Sequence, residues 1–266
     1  MKVVYVVIAA VMLLVPDAAA LEPVDAFEDG FAVHAPATAV AALYAYPGTE
    51  ALTEGVTAGV GWREPFGINE LAVTTVAVGA GIGRGFGVSA TYTGTGFNLY
   101  GEDQEKIGLA WAFFPRIGIG VRTVRTAMRI DGFGNASAWS FDMGVVARPV
   151  DTLVLSCAVE NAGDAELGAS KEPLDGKTRA GVTWLPSDDT TLFVTFADTR
   201  RHQASTAVGA LADIYGILAV GVCGSNNPGR ISFLCGVNVI DTVFSYRGEY
   251  HRELGMTHGF TISRSP

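Results

Sequence analysis

The sequence predicts an all-β protein: a transmembrane, antiparallel, up-and-down β-barrel of about 14 strands with a short N-terminal plug-like segment. Three observations predict it. From about residue 54 onward apolar and small polar residues alternate with period 2 rather than 3.6. The connections alternate between tight turns and longer polar loops, as in outer-membrane barrels. The composition is apolar and glycine-rich but sparsely charged: 33 Gly in 266 residues, 49% hydrophobic and 17% charged, against roughly 7% Gly and 25% charged in ordinary domains. Such a chain is too apolar for disorder. A net charge of −9 also argues against a nucleic-acid partner bound through a basic surface.

The elements follow in order. Lys2, the apolar run Val3 to Val15 and the small residues Ala18, Ala19 and Ala20 read as a cleaved export signal over 1–20. The apolar run is 13 residues, short of the ~20 a spanning helix needs. Residues 21–53 lack alternation and form either a plug or a lead-in segment, and 54–266 form the barrel.

Predicted strands lie near 55–63, 70–80, 86–96, 105–114, 117–129, 137–147, 152–161, 178–185, 190–197, 204–211, 216–223, 230–237, 242–250 and 255–263. Phe86, Val88, Ala90 and Tyr92 share one face against Gly87, Ser89, Thr91 and Thr93. Ile107, Leu109, Trp111 and Phe113 alternate with Lys106, Gly108 and Ala110, and Trp139, Phe141 and Met143 with Ser140, Asp142 and Gly144. Phe244, Tyr246 and Tyr250 oppose Ser245, Arg247 and Glu249.

Tight turns are expected at Pro115-Arg116, Pro149 to Asp151, Pro186 to Asp189 and Asn238 to Asp241. Longer loops are expected at Tyr100 to Gln104, Ile130 to Ala136, Gly163 to Lys177, Asp198 to Gln203, Gly224 to Gly229 and His251 to Glu253. The face carrying Trp and Phe suits lipid and the Gly, Ser and Thr face suits a lumen. The alternative is an exported soluble β-sandwich with a structural or adhesive role, in which the apolar faces pack on each other. Cys223 and Cys235 fall on opposite faces, so free thiols are expected rather than a disulfide.

The order of features from 46 to 263 resembles the PorV/PorQ-like outer-membrane proteins of the FadL-like (long-chain fatty-acid transporter) superfamily. Three stretches carry it: 96-GFNLYGE-102; 129–163, with Asp142, Gly144, Arg148, Pro149, Asn161 and Gly163; and the closing hairpin 246–263, with its Leu254-Gly255 turn. The family-motif positions are thus Tyr100, Glu102, Asp142, Gly144, Pro149, Asn161 and Gly255. Tyr46-Pro47-Gly48 stands where the family has Asn-Pro-Ala, and the chain closes on Arg264-Ser265-Pro266 rather than an aromatic residue. The resemblance implies a plugged 14-stranded barrel that transports hydrophobic small molecules or acts as a secretion-associated component. Its expected place is the outer membrane of a Gram-negative-type bacterium. Its expected partners are outer-membrane lipid and either a hydrophobic small molecule or secretion-system proteins.

Arg63, Arg122, Asp142, Arg179, Arg247 and Glu249 are the predicted inward charges, which either recognise a solute or pair with one another. His202 and His251 fall in the predicted outer loops without a Ser/His/Asp pattern, so no enzyme activity is expected. No cofactor and no metal site is expected, since no Cys/His spacing suits one. The glycine run 79-GAGIGRGFG-87 precedes no helix and fails as a nucleotide fingerprint.

Overall fold

The structure, a computed structural model, describes residues 31, 38–168, 171–199 and 203–265. The predicted export signal, His34 and His202 lie outside the described residues. A short helix α1 (Ala39–Ala45) and a 3-10 turn (Thr49–Leu52) come first. The strands are β1 (Val56–Glu64), β2 (Val73–Gly83), β3 (Phe86–Phe97), β4 (Tyr100–Phe114), β5 (Ile117–Ile130), β6 (Gly134–Val150) and β7 (Leu153–Glu160). A small hairpin, β8 (Glu166–Leu167) with β9 (Glu172–Pro173), interrupts them. Then come β10 (Lys177–Ser187), β11 (Thr190–Thr199), β12 (Ser205–Ile214), β13 (Leu218–Ser225), β14 (Arg230–Val239), β15 (Thr242–His251) and β16 (Gly255–Arg264).

All but β8 and β9 pair with their sequence neighbours into one closed antiparallel barrel of 14 strands. It is sealed where β1 meets β16, from Ala58 opposite Arg264 to Glu64 opposite His258. Closure leaves no sheet edge, the condition a strand-built wall must meet in hydrocarbon. The two-sheet sandwich does not form, because the apolar faces point outward instead of packing together. Trp111, Trp139, Phe141 and Trp184 are all exposed.

Register orders that outer face into rows across β3 to β6. Phe86, Trp111, Ile119 and Val145 form the row nearest the tight turns, with Phe86 and Trp111 stacked at 5.9 Å. Val88, Leu109, Val121 and Met143 follow, and then Ala90, Ile107, Thr123 and Phe141. The next row is Tyr92, Glu105, Arg125 and Trp139, where Arg125 pairs with Glu105 at 3.2 Å. An apolar band bounded by aromatic and charged residues is the exterior a membrane barrel needs.

Several of the expected turns and loops are corrected. The loop placed at Tyr100 to Gln104 is strand, and the chain turns at Asn98-Leu99. Polar side chains occupy both faces there because β4 runs past the apolar band: Tyr92 donates to Asp103 outside at 2.5 Å, and Tyr100 to Glu102 at 2.9 Å. Likewise Ile130 to Ala136 is mostly strand around a turn at 131–133. Pro149 and Pro186 are not turn residues but sit at β-bulges, between Ala147 and Val150 and between Trp184 and Ser187. A bulge is where a sheet tolerates a residue without an N–H. Ile240-Asp241 is a two-residue turn with φ of 50° and 61°, the left-handed geometry that tight hairpins require. Cys157, Cys223 and Cys235 are free thiols, with Cys223 buried and Cys235 exposed.

Val121 lies mid-band and outward. Val121→Arg should lower stability in phospholipid vesicles by about 2–4 kcal/mol, read from urea unfolding. An unchanged midpoint would contradict a lipid-facing wall.

Candidate functional site

Residues 38–53 pack inside the barrel rather than beside it. Val40 to Tyr46 are buried, and Val40, Tyr44 and Tyr46 cluster with Ala77, Val146, Val154 and Ala158 from the inner faces of β2, β6 and β7. Burial pushes the Tyr46 phenol up to about 12. Glycines in the wall make the approach possible. A Cβ on Gly120 would fall on the Gly48 backbone nitrogen, one on Gly118 on the Gly48 carbonyl, and one on Gly87 on the Glu50 backbone. At Gly144 it would stand 2.7 Å from the Pro47 oxygen. These positions are a seat for a backbone, which only glycine leaves room for.

An ion pair holds the segment in this seat. Arg122 Nη2 of β5 lies 2.8 Å from Glu50 Oε1, with both side chains only 1% exposed. The same guanidinium donates to the Leu43 and Tyr44 carbonyls at the C-terminus of α1, where a helix leaves carbonyls without partners. Glu50 also accepts from Ser89 Oγ at 2.5 Å and from its own turn at Gly48 N, 2.9 Å. Burial alone would raise the Glu50 carboxyl, but Arg122 and Ser89 outweigh it and hold the group below the ordinary glutamate value.

The other sequence-singled charges also lie on inner faces of the barrel and are buried. Asp142 stands opposite Arg122 in register. It accepts the Asn161 N–H at 3.1 Å and faces Lys106 Nζ at 3.7 Å. Arg179 Nε binds Glu160 at 2.6 Å. Glu249 meets Arg63 at 3.1 Å and Arg230 at 3.3 Å. Arg247 is buried on the same face of β15, two residues before Glu249.

Of the family-motif positions, the structure pairs Tyr100 with Glu102 and Asp142 with Asn161, and Glu102, Asp142 and Asn161 border one cavity. Asn161 organises the β7–β10 connection, donating to the Leu174 carbonyl and accepting from the Ala165 N–H. Gly144 lies against Pro47, while Pro149 and Gly255 sit at opposite ends of the barrel and join no site. His251 is not a loop residue but the buried last residue of β15. Its Nδ1 accepts the N–H groups of Glu253 and Leu254, so it caps a turn. His258 faces outward and shares a 2.8 Å hydrogen bond with the Tyr246 hydroxyl. Among the described residues, no three His, Cys, Asp or Glu side chains come together to hold a metal.

Between Tyr44 and the long-loop end lies a cavity of about 210 Å³. Seven charged side chains line it: Glu102, Lys106, Asp142, Glu160, Asp175, Lys177 and Arg179. The opposite wall, β11 to β14, is unlike it. There Phe31 packs fully buried among Phe193, Ala207, Leu211, Ala219, Cys223 and Leu234, its ring 5.8 Å from Phe193.

No model of a known protein family matches the chain, and no curated protein does. Solved structures do resemble it. The toluene transporter TbuX of Ralstonia pickettii aligns with TM-score 0.60 at 10% identity, over 85% of this chain and 93% of its own. The P. putida toluene transporter TodX gives 0.62 at 10%, over 85% and 94%. A Pseudomonas aeruginosa FadL homologue gives 0.62 at 10%, over 84% and 93%. The chain has their fold.

Sequence reasoning missed Glu50, Ser89 and Phe31. The signal that pointed toward Glu50 was the clustering of Gly87, Gly118, Gly120 and Gly144 on one face, which marks a close backbone approach. Glu50→Gln leaves Arg122 buried without its counter-charge and should cost about 3–5 kcal/mol at pH 7. Because the folded Glu50 value lies below the unfolded ~4.3, its contribution is present above that pH and lost as pH falls. Unfolding free energies of the two proteins should therefore converge in acid. A constant difference down to low pH would contradict the assignment.

Proposed function

We propose that this chain is an outer-membrane barrel of the FadL-like superfamily that passes small hydrophobic molecules across the outer membrane of a Gram-negative-type cell. In this reading residues 1–20 are removed on export and residues 21–53 plug the lumen. The observation that carries it is the apolar inner wall of β11 to β14, against which the Phe31 ring is fully buried. Burying apolar area there is favourable at about 25 cal/mol per Å², and the wall offers a hydrocarbon no unpaired charge. The shared fold with proteins described as toluene transporters supports the same cargo class. The band of exposed aromatic and aliphatic residues supports the location. Transport needs no bond chemistry, and the two described histidines serve packing and turn-capping, which supports a non-enzymatic role. The secretion-component reading rests on the sequence resemblance alone.

The test is uptake of radiolabelled toluene by Gram-negative cells producing the full chain. Uptake should rise several-fold over vector-only cells. Leu211→Glu should return it to background while keeping outer-membrane fractionation and heat-modifiable migration. Equal uptake with and without the protein would overturn the reading.

A further inference from the structure

The charges around the cavity set it apart from the apolar wall of β11 to β14. The geometry points to a binding site for a small zwitterion, a solute carrying one carboxylate and one ammonium, set between Tyr44 and the long-loop end of the barrel. Lys106 is the first reason. Its side chain is 4% exposed, yet among the described residues its ammonium makes no hydrogen bond. Its carboxylate neighbour Asp142 stands at 3.7 Å, beyond the ~2.7–2.9 Å of a charge-assisted hydrogen bond. Its other neighbour is the Tyr44 ring, 4.5 Å from Nζ to centroid. An ammonium carries three donors, and a ligand carboxylate would supply the acceptors this one lacks.

Thr199 is the second reason. It borders the same cavity from β11, and its buried hydroxyl likewise has no hydrogen-bond partner among the described residues. A buried hydroxyl without a partner and a buried ammonium with only a long ion pair thus face one space from separated strands. Buried polar groups are nearly always satisfied, so such exceptions call for an explanation.

The balance of charge selects the ligand. Four acids and three bases line the space. A simple anion admitted to Lys106 would also face Glu102 and Asp142, and a simple cation admitted to the acids would face Lys106 and Arg179. Only a ligand bearing both signs meets both sets favourably. An apolar molecule would desolvate these charges with no return. The volume, below the ~300–1,000 Å³ of sites for drug-sized ligands, limits the ligand to a few heavy atoms beyond its two charged ends.

The test is calorimetric titration of the detergent-solubilised full chain with L-alanine as probe, alongside N-acetyl-L-alanine, which keeps only the carboxylate, L-alaninamide, which keeps only the ammonium, and toluene. L-Alanine should bind, with both blocked analogues weaker by about tenfold or more, since a hydrogen bond to a charged group is lost. Lys106→Met should weaken L-alanine by a similar factor. Because that change exposes Asp142 to a missing partner, Thr199→Val, nearly isosteric, serves as the second variant and should also weaken binding. No heat with L-alanine would mean that the cavity holds water only and would overturn the inference. So would equal binding of a blocked analogue, or wild-type affinity in both variants. The reading of hydrocarbon transport stands or falls separately. Toluene uptake without L-alanine binding removes only this inference, and L-alanine binding without toluene uptake removes only the transport proposal.

Discussion

The interior of this barrel depends on the pair between Glu50 and Arg122. Taking two charges to 1% exposure costs several kcal/mol per ion, and the bonds that each makes offset that cost. Glu50 receives Arg122, Ser89 and the Gly48 N–H, and Arg122 also serves the two carbonyls that end α1. This ties a segment without strand character to β3 and β5 at once. The pair can close only if the segment's backbone lies directly on the wall, and the wall permits that only where it lacks side chains. High glycine content is therefore partly a consequence of this contact: Gly87, Gly118, Gly120 and Gly144 are the seat.

Around that seat the barrel carries three chemically distinct surfaces. The exterior is an apolar band ending in aromatic and charged rows, the arrangement that lets strands stand in hydrocarbon. The inner face of β11 to β14 is apolar and packs Phe31. The inner faces of β4 to β10 carry the charges that surround the cavity, and a second charged group, Arg63, Arg230, Arg247 and Glu249, lies on β1, β14 and β15. Segregating the two inner chemistries avoids placing an unpaired charge against an apolar group, which the low-dielectric interior would penalise.

Much of the fold was legible because a membrane barrel writes period 2 into every strand: one face meets lipid, the other a lumen of small and polar residues. That rule located all 14 strands and separated Cys223 from Cys235. It failed where polar residues occupy both faces, as at Tyr100 to Gln104, since a strand beyond the lipid loses its contrast. It failed again at Pro149 and Pro186, which punctuate bulges as readily as turns. The site was legible only in part. Parity assigns a face to a residue such as Arg122 but says nothing of its partner, and Glu50 lies 72 residues away in a segment with no alternation. Phe31 was unreadable for the same reason: nothing periodic precedes it.

The claim that a seated N-terminal segment fills the lumen is tested most directly by ion conductance across planar lipid bilayers. The wild-type barrel should conduct little, while Gly120→Val, which places a side chain where Gly48 now lies, should conduct as an open barrel while retaining heat-modifiable migration. Wild-type conductance already at that open level, or a Gly120→Val barrel that conducts no more than wild type, would contradict the account.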